Sequence, residues 1–147
     1  NGELCTRVTI FLSVFNVHVN RVPVGGIIED IKYNPGKFLA AFNPKASMDN
    51  EQNIILINNG KTHVFVKQIA GLIARRIVCW PKKGDYYESG QRYGLIRFGS
   101  RVDILLPETT KLSVACGDRV SGGKSIIGYL NRCIQLFHPP VRCIVIL

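Results

Sequence analysis

The chain has little of what marks several large classes of protein. No apolar run approaches the ~20 residues that a bilayer-spanning helix needs, and no signal-peptide pattern is present. No DNA- or RNA-binding motif occurs, and the basic residues are spread along the chain rather than clustered. The sequence therefore argues against a helical membrane protein and against a nucleic-acid partner.

Metal-binding patterns are equally scarce. No C-x-x-C pair occurs, and only three histidines are present. The five cysteines are Cys5, Cys79, Cys116, Cys133 and Cys143. An odd number at these spacings does not favour a structural zinc site or a disulfide framework. We predict no bound metal, and free thiols in a reducing compartment.

The chain does have enough apolar residues for a core. Its 147 residues are 46% hydrophobic, which fits one folded domain. The 19 basic and 10 acidic side chains give a net charge of +9, which favours an anionic partner such as a phospholipid surface. A strand-like pattern begins almost at Asn1, so we interpret residues 1–147 as a single domain that lacks its natural N-terminus.

The hydrophobic pattern predicts a mainly β fold. We expect barrel-sandwich-like β-sheets with at most one or two short helices, of which residues 44–50 are the candidate. Asn58-Asn59-Gly60 between two β-like runs predicts a hairpin. Residues 112–128, with Gly117-Asp118, Val120 and Gly122-Gly123, resemble the turn of lipoyl- and biotinyl-type domains, although a generic hairpin fits as well.

Gly99-Ser100 is the most informative dipeptide in the chain. It lies between two alternating runs within residues 93–107. Gly-Ser is an ordinary turn dipeptide. However, a serine hydroxyl directly after a glycine can also attack the preceding carbonyl and cleave its own backbone.

Three segments together point to a family. They are residues 11–23 (FLSVFNVHVNRVP), residues 68–78 (QIAGLIARRIV) and residues 94–103 (GLIRFGSRVD). In order and spacing, from about residue 6 to residue 128, the chain closely resembles phosphatidylserine decarboxylase proenzymes of the short bacterial form.

The resemblance implies a specific chemistry. It implies self-cleavage between Gly99 and Ser100 into a β chain of residues 1–99 and an α chain of residues 100–147. Ser100 would become a covalent pyruvoyl group, with no external cofactor. That group would decarboxylate phosphatidylserine to phosphatidylethanolamine and CO₂. The implied partners are phosphatidylserine, an anionic membrane surface and the two chains of one precursor. The implied location is the cytoplasmic face of the cell membrane, where the protein would be peripheral. A homo-oligomer is a further possible assembly.

Two further residues follow from the resemblance. His18 matches the histidine that the family uses for proton transfer during decarboxylation. Arg21 stands where longer members have a second histidine, and arginine is not a general base at neutral pH. Arg21 could instead bind the carboxylate or phosphate of the substrate. Because Arg21 replaces the second histidine, either His18 serves both steps or strain and the oxyanion environment activate Ser100. The family's aspartate motif would lie before Asn1.

Two other functions stay open on the sequence. A non-catalytic barrel-sandwich carrier or binding module would fit the turn at residues 117–123, although no carrier-type lysine tripeptide is present. An inactive family member would fit the missing aspartate motif. Asp103 is interpreted either as orienting the cleavage turn or as part of a salt bridge on the strand surface.

Overall fold

The computed structural model describes residues 5–12, 18–36, 50–71, 76–97 and 99–130, and the backbone of residues 140–142. These residues form twelve β-strands. The strands are β1 (Cys5–Leu12), β2 (Val19–Arg21), β3 (Gly26–Asn34), β4 (Gln52–Asn58), β5 (His63–Ile69), β6 (Ile77–Cys79), β7 (Tyr86–Tyr87), β8 (Arg92–Ile96), β9 (Ser100–Pro107), β10 (Lys111–Leu112), β11 (Ile126–Tyr129) and β12 (Pro140–Arg142). The predicted mainly β fold is confirmed. Most of the candidate helix at residues 44–50 lies outside the described residues.

The strands form three antiparallel sheets. The main sheet has six strands in the order β1-β9-β5-β4-β3-β7. A second sheet has the order β2-β8-β6, and a third has the order β10-β11-β12. Within the described ranges, no helix is long and apolar enough to cross a membrane.

The β4–β5 hairpin forms where the Asn-Asn-Gly sequence predicted it. Gly60 has a φ of +83°, a conformation that glycine adopts without a steric penalty. The side-chain oxygen of Asn58 accepts a hydrogen bond from the Gly60 amide at 2.8 Å. The side-chain oxygen of Asn59 accepts from the Thr62 amide at 2.9 Å. These local bonds fix the register that places β5 against β4.

The core lies between the main sheet and the second sheet. Alternate residues of β5 and β9 are fully buried, among them Val64, Val66, Val102 and Ile104. Val22, Tyr93 and Ile96 belong to the same hydrophobic cluster. Burying one such aliphatic side chain contributes about 1.5–3 kcal/mol. The period of two along each strand therefore decides which side chains point toward the second sheet.

The turn at residues 117–123 takes the predicted form. Gly117 has a φ of +95° and Gly123 a φ of +77°. Val120 is 9% exposed and belongs to the core cluster, so it closes the interior as the barrel-sandwich interpretation required. β10 and β11 pair on either side of this turn.

Two connections carry the chain from one sheet to the other. In the first, β5 ends at Ile69 in the main sheet, and β6 begins at Ile77 in the second sheet. In the second, β8 ends at Ile96 in the second sheet, and β9 begins at Ser100 in the main sheet. The chain thus changes sheets at Gly99-Ser100.

Candidate functional site

Ser100 and His18 lie where two strand ribbons pass from one sheet to the other. β1 pairs with β9, and the last pair of that ladder joins Leu12 to Ser100. β2 pairs with β8, and the Ile96 amide donates to the His18 carbonyl at 3.1 Å. The start of the β1–β2 connection therefore lies beside the end of the β8–β9 connection, at Leu12 and Ser100. The end of the first lies beside the start of the second, at His18 and Ile96. We call this region, formed by Leu12, His18, Ile96 and Gly99-Ser100, the sheet corner.

Gly99 gives the sheet corner its backbone shape. Its φ of +65° lies in the left-handed region, where a side chain would cost about 1–2 kcal/mol. A glycine here lets the chain leave the second sheet and enter β9 within a few residues. The bond that the sequence analysis predicted to be cleaved thus follows a residue with an unusual conformation.

Ser100 is buried in the intact chain. It is 1% exposed, and its Oγ has no hydrogen-bond partner among the described residues. An unpaired buried hydroxyl costs about 1–3 kcal/mol, so such groups are uncommon and call for an explanation. One explanation is that the Ser100 hydroxyl is positioned to react with the neighbouring Gly99 carbonyl.

His18 and Ser100 face the same interior. The side chain of Asn20, two residues after His18, points at the main sheet, because its Oδ1 accepts from the Gln68 Nε2 at 2.7 Å. Strand alternation places the imidazole of His18 on that side as well. Its Nε2 is buried. Ser100 shares a face of β9 with Val102, whose partner in β5 is Gln68. The structure therefore brings the two predicted residues to one region.

A buried network of side-chain amides supports this region, and these hydrogen bonds were not predicted from the sequence. Asn53 Nδ2 donates to Gln68 Oε1 at 3.1 Å, and Gln68 in turn donates to Asn20. All three residues are at most 3% exposed. The network connects β4, β5 and β2, so it fastens the short strand that follows His18 to the main sheet. A glutamine at an inward position of β5 was the signal that could have revealed it.

Gly94 makes room for that network. A Cβ at Gly94 would lie 2.2 Å from the Val78 carbonyl oxygen and 3.0 Å from Gln68 Nε2. Real Cβ atoms do not approach backbone so closely. Val78 belongs to β6, the neighbour of β8 in the second sheet, and Gln68 belongs to the main sheet. A glycine in the middle of β8 therefore leaves room both for the adjacent strand and for the Gln68 side chain.

Arg21 contacts two turns. Its Nη1 donates to the Gly90 carbonyl at 2.8 Å, and a Cβ at Gly123 would lie 3.0 Å from its Cδ. In the β2–β8 ladder Arg21 pairs with Arg92, at the opposite end of β8 from the sheet corner. The guanidinium thus helps to hold the turn that ends in Gly90.

Asp103 lies on the opposite face of β9 from Ser100, since the two positions differ by an odd number. Its Oδ1 is 3.1 Å from Arg101 Nε, and both side chains are at most 5% exposed. The predicted salt bridge is therefore present, but its placement on the strand surface was wrong, because both partners are buried. Within the described part of the chain, no group of three or more His, Cys, Asp or Glu side chains could hold a metal ion.

Comparisons with known proteins identify a family for this chain. The family model for phosphatidylserine decarboxylase matches residues 2–128. The proenzyme of that name from Geotalea uraniireducens is 52% identical over 129 residues, which cover 87% of this chain and 61% of the relative. The proenzyme from Syntrophus aciditrophicus is 51% identical over 129 residues, covering 86% and 60%.

The alignment covers only part of each relative. The chain spans about three fifths of the length of these curated relatives, and no solved structure matches it. The residues that match the family model nevertheless include the whole sheet corner, with Gly99-Ser100. The chain belongs to the phosphatidylserine decarboxylase family.

Proposed function

We propose that this chain carries the self-cleaving, pyruvoyl-forming centre of a decarboxylase that converts phosphatidylserine to phosphatidylethanolamine and CO₂. The observation that carries the proposal is the buried Ser100 Oγ, which has no hydrogen-bond partner among the described residues and directly follows Gly99, whose φ is +65°. The family membership and the names of the relatives support the substrate.

Ser100 acts first on its own backbone. Its Oγ adds to the Gly99 carbonyl carbon, and the Gly99–Ser100 C–N bond breaks as an ester forms. Removal of the Ser100 α-proton then expels the Gly99 carboxylate. The dehydroalanine that remains tautomerises and takes up water, releasing ammonia and leaving a pyruvoyl group on Arg101. Residues 1–99 and 100–147 stay associated through the β1–β9 and β5–β9 ladders.

The sheet corner suits such a group. Once formed, the pyruvoyl carbonyl supplies an electrophile for the substrate amine and accepts the electron pair released with CO₂. The Ser100 side is buried, which excludes water. His18, whose Nε2 is enclosed in the same interior, delivers the proton that replaces CO₂ on the substrate carbon.

Arg21 and the net charge bear on substrate binding. The guanidinium of Arg21 donates one N–H to Gly90 and has further N–H groups that can bind the substrate phosphate. Arg21 lies at the opposite end of β8 from the sheet corner, so the reacting carboxylate is not its ligand. The net charge of +9 favours an anionic membrane surface, which we place at the cytoplasmic face of the cell membrane.

The test uses the full-length protein with phosphatidylserine in mixed vesicles. Ser100→Ala should abolish both cleavage and CO₂ release. His18→Gln should lower kcat at least about 100-fold, the scale of a lost general acid. His63→Gln is the matched control, because His63 is exposed and bonds only to Glu29 among the ion pairs described, at 2.7 Å. Equal rates for His18→Gln and His63→Gln would remove His18 from the mechanism.

A further inference from the structure

A buried ion pair lies directly beside the cleavage bond, and the chemistry above does not use it. Arg101 Nη2 donates to Asp103 Oδ2 at 3.4 Å, and Arg101 Nε lies 3.1 Å from Asp103 Oδ1. The two side chains are 5% and 3% exposed. Because they point away from the face that Ser100 occupies, they are not placed to exchange protons with it.

The ion pair is costly to bury, so its position needs a reason. Desolvation lowers the pKa of Arg101, and Asp103 offsets part of that effect. Lys67, which is opposite Asp103 in β5, also has a lowered pKa through burial, again partly offset by Asp103. Buried ion pairs are weak evidence for stability, but they can specify one geometry.

Arg101 is held from several directions. It is the first residue of β9 that has strand partners on both sides, Phe11 in β1 and Ile69 in β5. Its Cζ lies 5.8 Å from the centre of the Phe11 ring, within the range of a cation–π contact. Asp103, on the same face of the same strand, fixes the other side of the guanidinium.

Cleavage changes what is required of these contacts. In the intact chain, Gly99 covalently tethers the start of β9. After cleavage, Arg101 carries the terminal group, and chain ends fray unless they are tied down. A reactive group must be held within about 0.5 Å of its working position, and Ser100 pairs only with Leu12 in the ladders.

We propose that Arg101 and Asp103 are positioning residues that anchor the new end of β9 after cleavage and so fix the group formed from Ser100. This inference rests on the proposed function, since it requires the Gly99–Ser100 bond to be cut. It assigns the pair a role that begins only when the covalent tether is lost.

The test compares Arg101→Met in two states of the full-length protein, cleaved and held intact by Ser100→Ala. The readout is hydrogen exchange of the β9 amides. In the cleaved protein, Arg101→Met should speed exchange at residues 101–103 about tenfold, because local opening becomes easier. In the intact protein the change should stay below about twofold. Arg7→Met is the matched control, an exposed arginine on the same face of the neighbouring strand.

A kinetic measurement accompanies the exchange data. In cleaved Arg101→Met, kcat should fall about 10- to 100-fold with KM nearly unchanged, as expected for a displaced reactive group. If Arg101→Met alone does not fold, the double variant Arg101→Met/Asp103→Leu replaces it, because it leaves no lone buried charge. The same results are expected of it.

Equal acceleration of exchange in the cleaved and intact forms would show a general structural role and overturn the inference. Unchanged exchange in the cleaved form would overturn it too. Failure of the wild-type protein to cleave would instead refute the proposed function, so the two failures are distinct.

Discussion

Replacing Gln68 by methionine should destabilise the intact protein strongly, although it keeps the side chain's length. Gln68 is fully buried and bonds to Asn20 at 2.7 Å and to Asn53 at 3.1 Å. The Nδ2 of Asn20 already has no hydrogen-bond partner among the described residues. Without Gln68, the Oδ1 of Asn20 would lose its hydrogen bond as well. Two buried groups, Asn20 Oδ1 and Asn53 Nδ2, then lose their hydrogen bonds to Gln68. At about 1–3 kcal/mol for each, we expect a loss of about 2–6 kcal/mol.

The assay is urea unfolding of the uncleaved Ser100→Ala protein, so that a single chain is compared throughout. Gln91→Met is the matched control. Gln91 is exposed and accepts one hydrogen bond from the Glu88 amide at 2.8 Å, which water can replace. We expect a change of at most about 0.5 kcal/mol for this control. If the two variants unfold at the same urea concentration, the amide network does not fasten β2 to the main sheet.

A double-mutant cycle separates the network from simple packing. Asn20→Leu combined with Gln68→Met should cost less than the sum of the two single changes, because neither polar group then remains unpaired. A coupling of about 0.5–3 kcal/mol is typical of residues in contact. Strict additivity would show that Asn20 and Gln68 act independently.

Two further predictions concern the sheet corner and the core. Gly99→Ala should slow self-cleavage in a gel time course, because its φ of +65° is unfavourable for alanine, whereas Gly60→Ala, with a φ of +83° in the exposed hairpin turn, should leave cleavage unchanged. Equal rates would show that the shape at Gly99 does not matter. Burial raises the pKa of Tyr93 well above 10.0, so its contribution is fully present below pH ~10 and is lost as pH rises toward the folded-state pKa. Tyr93→Phe removes this buried hydroxyl, which has no hydrogen-bond partner among the described residues. The unfolding free energy of the variant should therefore fall less steeply above pH ~10 than that of the wild type, and an unchanged pH profile would contradict this.

The sequence was most informative where structure depends on neighbouring residues. The β4–β5 hairpin needs Asn58 and Asn59, whose side-chain oxygens accept hydrogen bonds from the nearby amides of Gly60 and Thr62. Val120 could also be singled out locally, from the glycine-rich turn around it, and it is buried. Gly99-Ser100 was recognised from its dipeptide chemistry and the family motif, whereas the positive φ of Gly99 came only from the structure.

Long-range partners could not be predicted in the same way. Gln68 and Asn20 are 48 positions apart, and their hydrogen bond depends on how two sheets stack. Arg21 bonds to Gly90 across 69 positions, so its contact with that turn was invisible from its place beside His18. The division of residues 93–107 between two sheets was also missed, because both halves have the same alternating pattern.

The most direct test of the account is the intact mass of the full-length protein after purification. We predict two pieces divided between Gly99 and Ser100, with the second piece beginning in a pyruvoyl group and lacking a free N-terminal amine. A single uncut chain in material that decarboxylates phosphatidylserine would contradict the account.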